Sequence, residues 1–282
     1  MDYNKYKKFF SIVRSSLKED IGKRDITTQL TIPCSKIVKA VLLAKEDCVV
    51  CGLDIAGLVF KAKDKRIKFK SKVLDGQLIK KGTVLAQIQG KARSVLTAER
   101  AALNFLCLLS GIATKTRTYV NAVKPYKAKI MDTRKTIPTL RELQKYAVRT
   151  GGGYNHRMRL DEMLLVKDNH LKIMGDIKAL SKINRKYKLE IEVKNLKEFK
   201  AFLKLNPEII MLDNMGIKDI KKAVQIRNRL SSQGHRPAPK LEASGGVALK
   251  NVRQIAATGV EMISIGDLTH SVKSVDISLE VL

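Results

Sequence analysis

The sequence has no tryptophan, and aromatic residues make up only 5% of its 282 positions. Acidic residues are also scarce, because 27 Asp and Glu stand against 55 Lys and Arg, which gives a formal net charge of +28. Such a charge suits nucleic acids or anionic membranes as partners. The lysines, however, are dispersed, and few aromatic side chains are available for base stacking. We therefore expect no nucleic-acid partner, and a basic field that helps to recruit a small polyanion.

Long apolar runs and cysteines are few as well. We expect no segment long or apolar enough to cross a membrane, and the N-terminus MDYNKYKKFF lacks the apolar core of a signal peptide. These absences predict a cytoplasmic protein with reduced thiols. Cys48 and Cys51 have CxxC spacing, but no second pair or nearby histidine completes a tetrahedral metal site. We interpret CVVCGLDIAGLVF as a buried strand that leads into a helix.

The pattern of apolar residues changes near residue 112, which predicts two folding units. Before it, a short helix precedes strand-like segments that are separated by the turn pairs Asp75-Gly76 and Lys81-Gly82. From Thr97 apolar residues recur at helical spacing, which predicts one long helix or a broken pair. We predict an N-terminal α+β, sandwich-like domain over residues 1–112, against which the tail 271–282 packs.

From Lys129 onward, short apolar runs alternate with helical segments. The runs are KIMD, MLLV, LEIEV, IIML, KLEA and MISI, and the helix after MLLV is predicted to begin at about Gly175. This alternation predicts a parallel sheet covered by helices, and no GxGxxG motif indicates a dinucleotide fold. The predicted fold class is α/β, with an incomplete, open α/β barrel as the catalytic domain over residues 113–270.

Cations concentrate in one block of the sequence, between Asp132 and His170. Because its apolar runs KIMD and MLLV are typical of buried strands, its cations cannot all be solvated surface charge, and several should converge at strand ends. The candidates are Arg134, Lys135, Arg149, His156, Arg157, Arg159 and Lys167. The block therefore indicates an anion-binding active site.

Residues that follow the strands of such a barrel line one mouth. Beyond the cations, these positions hold two acids and several small residues: Glu192, Asp213, Ser244, Gly245, Gly246 and Gly266. One acid could be a helix cap, but two in neighbouring strands are costly unless they meet cations, hydroxyl groups or a metal. The letters SGG also suit a plain turn. At a late strand end they favour a phosphate site, because small residues expose backbone N–H groups.

Seven motifs then carry a resemblance. TAERAALNFLCLLSGIAT, DTRKTIPTLRELQKYAVRTGGGYNHR, LLVKDNH, EIEV, IMLDN, LEASGGV and ISIGDLTHS occur in this order, after DITT at 25–28. The series resembles that of the quinolinate phosphoribosyltransferases, or carboxylating nicotinate-nucleotide pyrophosphorylases. The resemblance implies a pentosyltransferase that joins quinolinate to 5-phosphoribosyl-1-pyrophosphate with magnesium. Its products would be nicotinate mononucleotide, pyrophosphate and carbon dioxide, a step of de novo NAD biosynthesis.

The resemblance also implies residue roles. Quinolinate binding falls to Arg100, Arg134, His156, Arg157 and Lys167, with Arg100 reaching the neighbouring subunit's site of a homodimer. Donor binding falls to Lys135, Glu192, Asp213, Ser244, Gly245, Gly246 and Gly266. The catalytic residues are Lys135, Lys167, Glu192 and Asp213, with magnesium near the two acids. Arg159 and Lys194 depart from the family pattern, and His170 is expected to bond the loop backbone. Hexamers are the larger alternative assembly.

Two other functions stay open. A homologous phosphoribosyltransferase with a different acceptor, such as the relative associated with molybdenum transport, would share the barrel. Arg134, His156 and Arg157 favour a dicarboxylate acceptor instead. An RNA-binding protein would use the basic surface, would bind with a steep salt dependence and would release no substrate-dependent product.

Overall fold

The structure is a computed structural model that describes residues 7–175, 179–180, 186–232 and 238–282. These residues form two compact units. The first draws on residues 7–117, 138–152 and 271–282, and the second on 118–137 and 153–270. The boundary predicted after residue 112 lies inside the helix Ala92–Ala122.

Four antiparallel strands form the main sheet of the first unit. They are β1 (Ile37–Ala44), β3 (Lys68–Ser71), β5 (Val84–Lys91) and β12 (Ile277–Val281), in the order β12-β1-β5-β3. The last strand of the chain pairs with the first, and Leu42 lies opposite Leu279. A separate two-stranded ladder joins β2 (Cys48–Val49) to β4 (Leu78–Ile79).

Helices and turns cover this sheet unit. They are a 3-10 turn at Lys7–Phe9, then Phe10–Ile21, Ile26–Thr31, Leu53–Lys63, the first part of Ala92–Ala122, and Arg141–Thr150. Leu53–Lys63 follows β2 closely, which confirms the strand-to-helix interpretation. Cys48 and Cys51 are buried free thiols, and burial raises the pKa of Cys48 to about 11, so its reactive thiolate is disfavoured.

The N-terminus of Leu53–Lys63 is capped by a residue that is distant in sequence. Asp75 accepts hydrogen bonds from the backbone N–H groups of Gly52 at 2.8 Å and Leu53 at 3.2 Å. It also accepts one from the hydroxyl of Tyr146 at 2.8 Å. Burial raises the pKa of the Asp75 carboxyl, and these bonds oppose that rise. The cap satisfies N–H groups that a helix leaves without partners in its first turn.

The helix Ala92–Ala122 is continuous, so of the two predicted forms the single long helix is the correct one. It is long and apolar enough to cross a membrane by length and composition, and the expectation that no segment passes this test is wrong. However, 67% of its most apolar window is buried inside the protein, with Leu103, Leu106 and Leu109 in the core. We interpret it as the core helix of a folded protein.

Six parallel strands form the sheet of the second unit, in the order β6-β11-β10-β9-β8-β7. They are β6 (Lys129–Met131), β7 (Leu164–Val166), β8 (Leu189–Val193), β9 (Ile209–Asp213), β10 (Lys240–Ser244) and β11 (Met262–Ser264). β6 and β7 are the two edges, so the sheet stays open, which confirms the predicted incomplete barrel. The carboxyl ends of all six strands point the same way.

The helices of this unit are Asp168–Met174, Leu196–Leu203, Ile217–Ser232, Leu249–Ala256 and Asp267–His270. The structure has a helix that the sequence did not predict, Asp168–Met174, which ends at Gly175 with a φ of +71°. The sequence predicts a further helix from about Gly175. The rest of that prediction falls on 176–178 and 181–185, outside the described residues.

Candidate active site

A cavity of about 650 Å³ lies at the carboxyl ends of the barrel strands. All the predicted site residues except Arg100 are among those that line it. The lining comprises Thr133, Arg134, Lys135, His156, Arg157, Leu165, Lys167, Glu192, Met211, Asp213, Asn214, Ser244, Gly245, Gly246, Val247, Ser264, Ile265, Gly266, Asp267 and His270. The predicted residues in this lining lie up to 132 positions apart in the chain, from Arg134 to Gly266, and the cavity contains them all because they follow strands that end on the same side.

Two guanidinium groups stand close together in this lining. Burial and the charge of Arg134 lower the pKa of Arg157, while the charge of Glu190 opposes them. Nη1 of Arg157 donates to the backbone oxygen of Met163 at 2.9 Å, which fixes the side chain. Neighbouring cations repel each other, and an anion with two carboxylates would relieve that repulsion through charge-assisted hydrogen bonds.

A third cation is paired across the strand ends of β7 and β8. Nζ of Lys167 lies 3.0 Å from Oε2 of Glu192, whose side chain is 9% exposed. The backbone N–H of Lys167 donates to Nδ1 of His170 at 2.9 Å, which confirms that His170 bonds the loop backbone. Lys167 is therefore held between an acid and an ordered helix start, with its ammonium group in the cavity.

In the loop that follows β10, the backbone lies close to neighbouring side chains. Gly245 has a φ of +82°, and a Cβ atom there would lie 2.4 Å from the side chain of Asn214. The side chain of Asn251 accepts from the N–H of Ala248 at 2.8 Å and donates to the oxygen of Gly246 at 2.9 Å, which pins the loop. Only glycine fits position 245, so the loop can present backbone N–H groups to a phosphate.

The loop that holds Lys135 is tied to the last helix of the barrel. The hydroxyl of Thr269 donates to the backbone oxygen of Lys135 at 2.6 Å. At Gly266 a Cβ atom would lie 3.0 Å from Cδ of Lys135 and 3.1 Å from Nε2 of His270. A glycine therefore lets the lysine side chain lie against the loop that follows β11, on the phosphate side of the cavity.

Below the cavity lie two glutamates that the sequence did not single out. The side chains of Glu190 and Glu242 have no exposed surface, and that of His156 is 8% exposed. Nε2 of His156 lies 3.0 Å from Oε2 of Glu190 and 3.7 Å from Oε2 of Glu242. Both acids precede a predicted site residue by two positions, and period-two alternation puts each pair on one strand face. That spacing was the available signal.

Several cations that the sequence analysis named stay outside the cavity lining, among them Arg159 and Lys194, which were not assigned to the site. Arg149 is exposed on Arg141–Thr150, in the first unit. Arg159 is exposed and lies 3.7 Å from Asp161. Lys194 pairs with Asp168 at 2.8 Å. Arg100 is exposed on the long helix of the first unit. The convergence predicted for the block holds for its other cations.

Two carboxylates at neighbouring strand ends could contribute to a magnesium site. Glu192 and Asp213 line the cavity at the ends of β8 and β9. Glu192 is paired with Lys167, and Asp213 accepts from the side-chain amide of Asn214 at 3.0 Å. Magnesium keeps several waters and is often held by one or two carboxylates together with substrate phosphates. The residues therefore fit magnesium that arrives with a diphosphate.

The open barrel, its cationic pocket and its glycine loops define an enzyme of the α/β-barrel class that binds anionic, phosphorylated small molecules. The N-terminal domain of the quinolinate phosphoribosyl transferase family matches residues 25–110, and its C-terminal domain matches residues 112–280. The chain belongs to the quinolinate phosphoribosyl transferase family.

Relatives and solved structures agree along nearly the whole chain. The chain is 42% identical over 277 residues to the carboxylating nicotinate-nucleotide pyrophosphorylase of Mycobacterium leprae (strain TN), with 95% of both chains covered. The nicotinate-nucleotide pyrophosphorylase structure from Ehrlichia chaffeensis has a TM-score of 0.90 at 39% identity and covers 97% of this chain and 98% of its own. The structure from Francisella tularensis has a TM-score of 0.88 at 39% identity and covers 97% and 95%.

Proposed function

We propose that the chain transfers the phosphoribosyl group of 5-phosphoribosyl-1-pyrophosphate to quinolinate and releases pyrophosphate and carbon dioxide. The product is nicotinate mononucleotide, a precursor of NAD. One observation carries this proposal: a single cavity combines the paired guanidiniums of Arg134 and Arg157 with the glycine loops at Gly245 and Gly266. The names of the relatives, which describe carboxylating nicotinate-nucleotide pyrophosphorylases, support it.

The acceptor occupies the cationic side of the cavity. Quinolinate carries two adjacent carboxylates on a pyridine ring. Forked guanidinium groups bind such planar anions in a fixed geometry, and Arg134 and Arg157 supply two of them. Lys167 adds a third charge that is already held by Glu192. His156 lines the same side and orients the acceptor rather than supplying charge, because its ring nitrogens bond protein groups.

The donor occupies the side with the acids and the glycine loops. The 5-phosphate binds the backbone N–H groups around Ser244, Gly245, Gly246 and Gly266. Glu192 and Asp213 accept hydrogen bonds from the ribose hydroxyls, and Lys135 binds the diphosphate. Magnesium, held by Glu192, Asp213 and the donor's phosphates, would neutralise charge on the diphosphate when bound.

The chemistry needs positioning and electrostatics more than a nucleophilic side chain. The bond between C1 of the ribose and the diphosphate oxygen breaks, and the pyridine nitrogen bonds to C1. Glu192 and Asp213 stabilise the positive charge that develops on the ribose, and Lys135 stabilises the departing diphosphate. The bond from C2 of the ring to its carboxylate then breaks, and the electron pair stays on C2 beside the cationic nitrogen until a proton arrives.

We also propose a cytoplasmic homodimer in which Arg100 completes the neighbouring subunit's acceptor site, with a hexamer as the larger alternative. Support comes from the exposure of Arg100 and its place in the TAER motif. Mixing Arg100→Ala protomers with Arg157→Ala protomers tests this. Half of the randomly mixed dimers would have one intact site, so activity should return to roughly a quarter of wild type. No recovery after verified subunit exchange contradicts the shared site.

The acceptor is tested by measuring pyrophosphate release with quinolinate, with nicotinate and without acceptor, at fixed donor and magnesium concentrations. We expect pyrophosphate release in the reaction with quinolinate and in neither of the other two. Release with nicotinate but not quinolinate would place the chain among phosphoribosyltransferases with another acceptor. Release in none of the three reactions, together with steeply salt-dependent RNA binding, would support the nucleic-acid alternative.

A further inference from the structure

Two fully buried carboxylates lie under the acceptor side of the cavity and take no part in the reaction described so far. Glu190 on β8 and Glu242 on β10 both approach Nε2 of His156. Within the described part of the chain, Oε1 of Glu190 is buried without a hydrogen-bond partner. Glu242 makes only weak contacts, because its Oε2 lies 3.7 Å from Nε2 of His156 and the nearby side chain of Ser264 lowers its pKa only in part. Buried acids cost free energy unless they are paired, and the interiors of such barrels are usually filled by Val, Ile and Leu. Stability alone does not account for them.

A metal ion is the first explanation to consider. His156, Glu190 and Glu242 offer ligand atoms that all lie within 4.8 Å of one another. The histidine argues against it, because Nδ1 accepts a hydrogen bond from the backbone N–H of Arg157 at 2.8 Å. A neutral imidazole whose Nδ1 is an acceptor carries its proton on Nε2. Nε2 therefore donates to Glu190 and has no free electron pair for a metal.

The same bonds immobilise His156. Its backbone N–H donates to Oδ1 of Asp132 at 2.9 Å, and Asp132 itself is fully buried at the end of β6. One ring nitrogen is held by Arg157 and the other by Glu190. The ring thus joins its own loop to β8, the backbone of His156 joins that loop to the end of β6, and these bonds fix the orientation of the ring.

Glu242 lies behind this contact. Carboxyl oxygens of Glu190 and Glu242 lie within 4.8 Å of each other in a buried site, so ionising both groups costs free energy. Burial and the neighbouring charge of Glu190 raise the pKa of Glu242 to about 7. The charge of Glu190 also acts favourably on the cationic side chain of Arg157.

We propose that Glu190 is a positioning residue for the acceptor, which fixes His156 and through it the backbone of Arg157. This inference rests on the proposed function. The hydrogen bond described for Glu190 goes to His156, on the acceptor side of the cavity, and no described hydrogen bond joins it to the donor loops at Gly245 and Gly266. Its loss should therefore affect quinolinate much more than the phosphoribosyl donor.

The test compares Glu190→Ala with Glu190→Gln by steady-state kinetics for both substrates. Alanine leaves the Nε2–H of His156 without its acceptor, whereas glutamine retains a carbonyl oxygen at that place. We expect Glu190→Ala to raise KM for quinolinate about tenfold, which corresponds to the net contribution of about one hydrogen bond. KM for the donor should change less than about twofold, and Glu190→Gln should recover most of the loss. Equal changes in both KM values, no change in either, or no recovery by glutamine would overturn the proposal.

A double-mutant cycle protects the test against variants that fold poorly. In a His156→Ala background, replacing Glu190 by Gln or Ala should have little further effect on quinolinate KM, because the contact through which Glu190 acts is absent. Full additivity would contradict the positioning role. Turnover by the wild-type protein distinguishes a failure of the proposed function from a failure of the role proposed for Glu190. If the wild-type protein forms no product from quinolinate, the proposed function is wrong. If it turns over normally but the Glu190 variants change both KM values equally, only the role of Glu190 is wrong.

Discussion

Both units of the molecule contain acids that are withdrawn from solvent, half-buried in the first unit and fully buried in the barrel, and these acids differ in how their oxygens are hydrogen-bonded. In the first unit, Asp75 accepts three hydrogen bonds and closes the N-terminus of Leu53–Lys63. In the barrel, Glu190 and Glu242 lie under the cavity, where Oε1 of Glu190 has no described partner and Glu242 has only weak contacts with His156 and Ser264. Both sites bear the cost of burial, but only Asp75 recovers it through hydrogen bonds to its own unit.

The difference separates an acid that stabilises the fold from acids that serve the site. A half-buried carboxylate with several hydrogen bonds joins segments, as Asp75 joins a helix start to Tyr146. A carboxylate with few hydrogen bonds interacts electrostatically with the charged groups around it, here His156 and Arg157. The contrast predicts that changes in the two units have separable effects on stability and on turnover.

Arg157→Ala should give the largest effect on turnover. The substitution removes a guanidinium from the acceptor pocket, and we expect kcat/KM for quinolinate to fall at least about 100-fold, or about 3 kcal/mol. The matched control is Lys197→Ala, which changes an exposed lysine on Leu196–Leu203. Steady-state pyrophosphate release measures both variants, and equal losses would remove Arg157 from the site.

Asp75→Ala should give the converse result. The substitution leaves the N–H groups of Gly52 and Leu53 and the Tyr146 hydroxyl without their acceptor, and we expect the free energy of unfolding to fall by about 2–3 kcal/mol. Quinolinate KM at a temperature where the variant stays folded should remain near the wild-type value. Denaturant titration and kinetics measure the two quantities. A rise in quinolinate KM without a loss of stability would contradict the distinction between Asp75, which stabilises the fold, and Glu190, which serves the site.

Glu242→Gln should change how stability depends on pH. The pKa of Glu242 is raised from 4.5 to about 7, first by burial and then by Glu190, while His156 and Lys167 oppose the rise. Between these values the folded protein retains a proton that the unfolded chain has released, so this group lowers stability as pH rises. Glutamine has no proton to lose. The variant should therefore gain about 2 kcal/mol relative to wild type between pH 5 and pH 8. A difference that does not change with pH would show that Glu242 is not held neutral.

The sequence predicted the barrel well because each of its strands is a short apolar run between helices. Strand-end positions then placed Lys167, Glu192, Asp213 and Gly245 in one cavity, since parallel strands end on the same side. It missed Glu190 and Glu242, although their two-residue spacing from predicted site residues was visible. Whether an acid inside a strand is buried depends on the residues of other strands that pack around it. The local sequence pattern does not contain that information.

Other misses have the same origin in tertiary structure. The turn pair at Asp75 was visible, but its role as a cap for a helix start 23 positions earlier was not. The apolar length of Ala92–Ala122 passed the membrane test because a core helix and a membrane span share composition. Only the residues packed around the helix separate the two.

The most direct test of the account is to measure pyrophosphate and carbon dioxide in one reaction with quinolinate, with nicotinate as the parallel acceptor. The account predicts equal molar amounts of the two products from quinolinate and no pyrophosphate from nicotinate. Pyrophosphate release with nicotinate, or with quinolinate but without carbon dioxide, would contradict it.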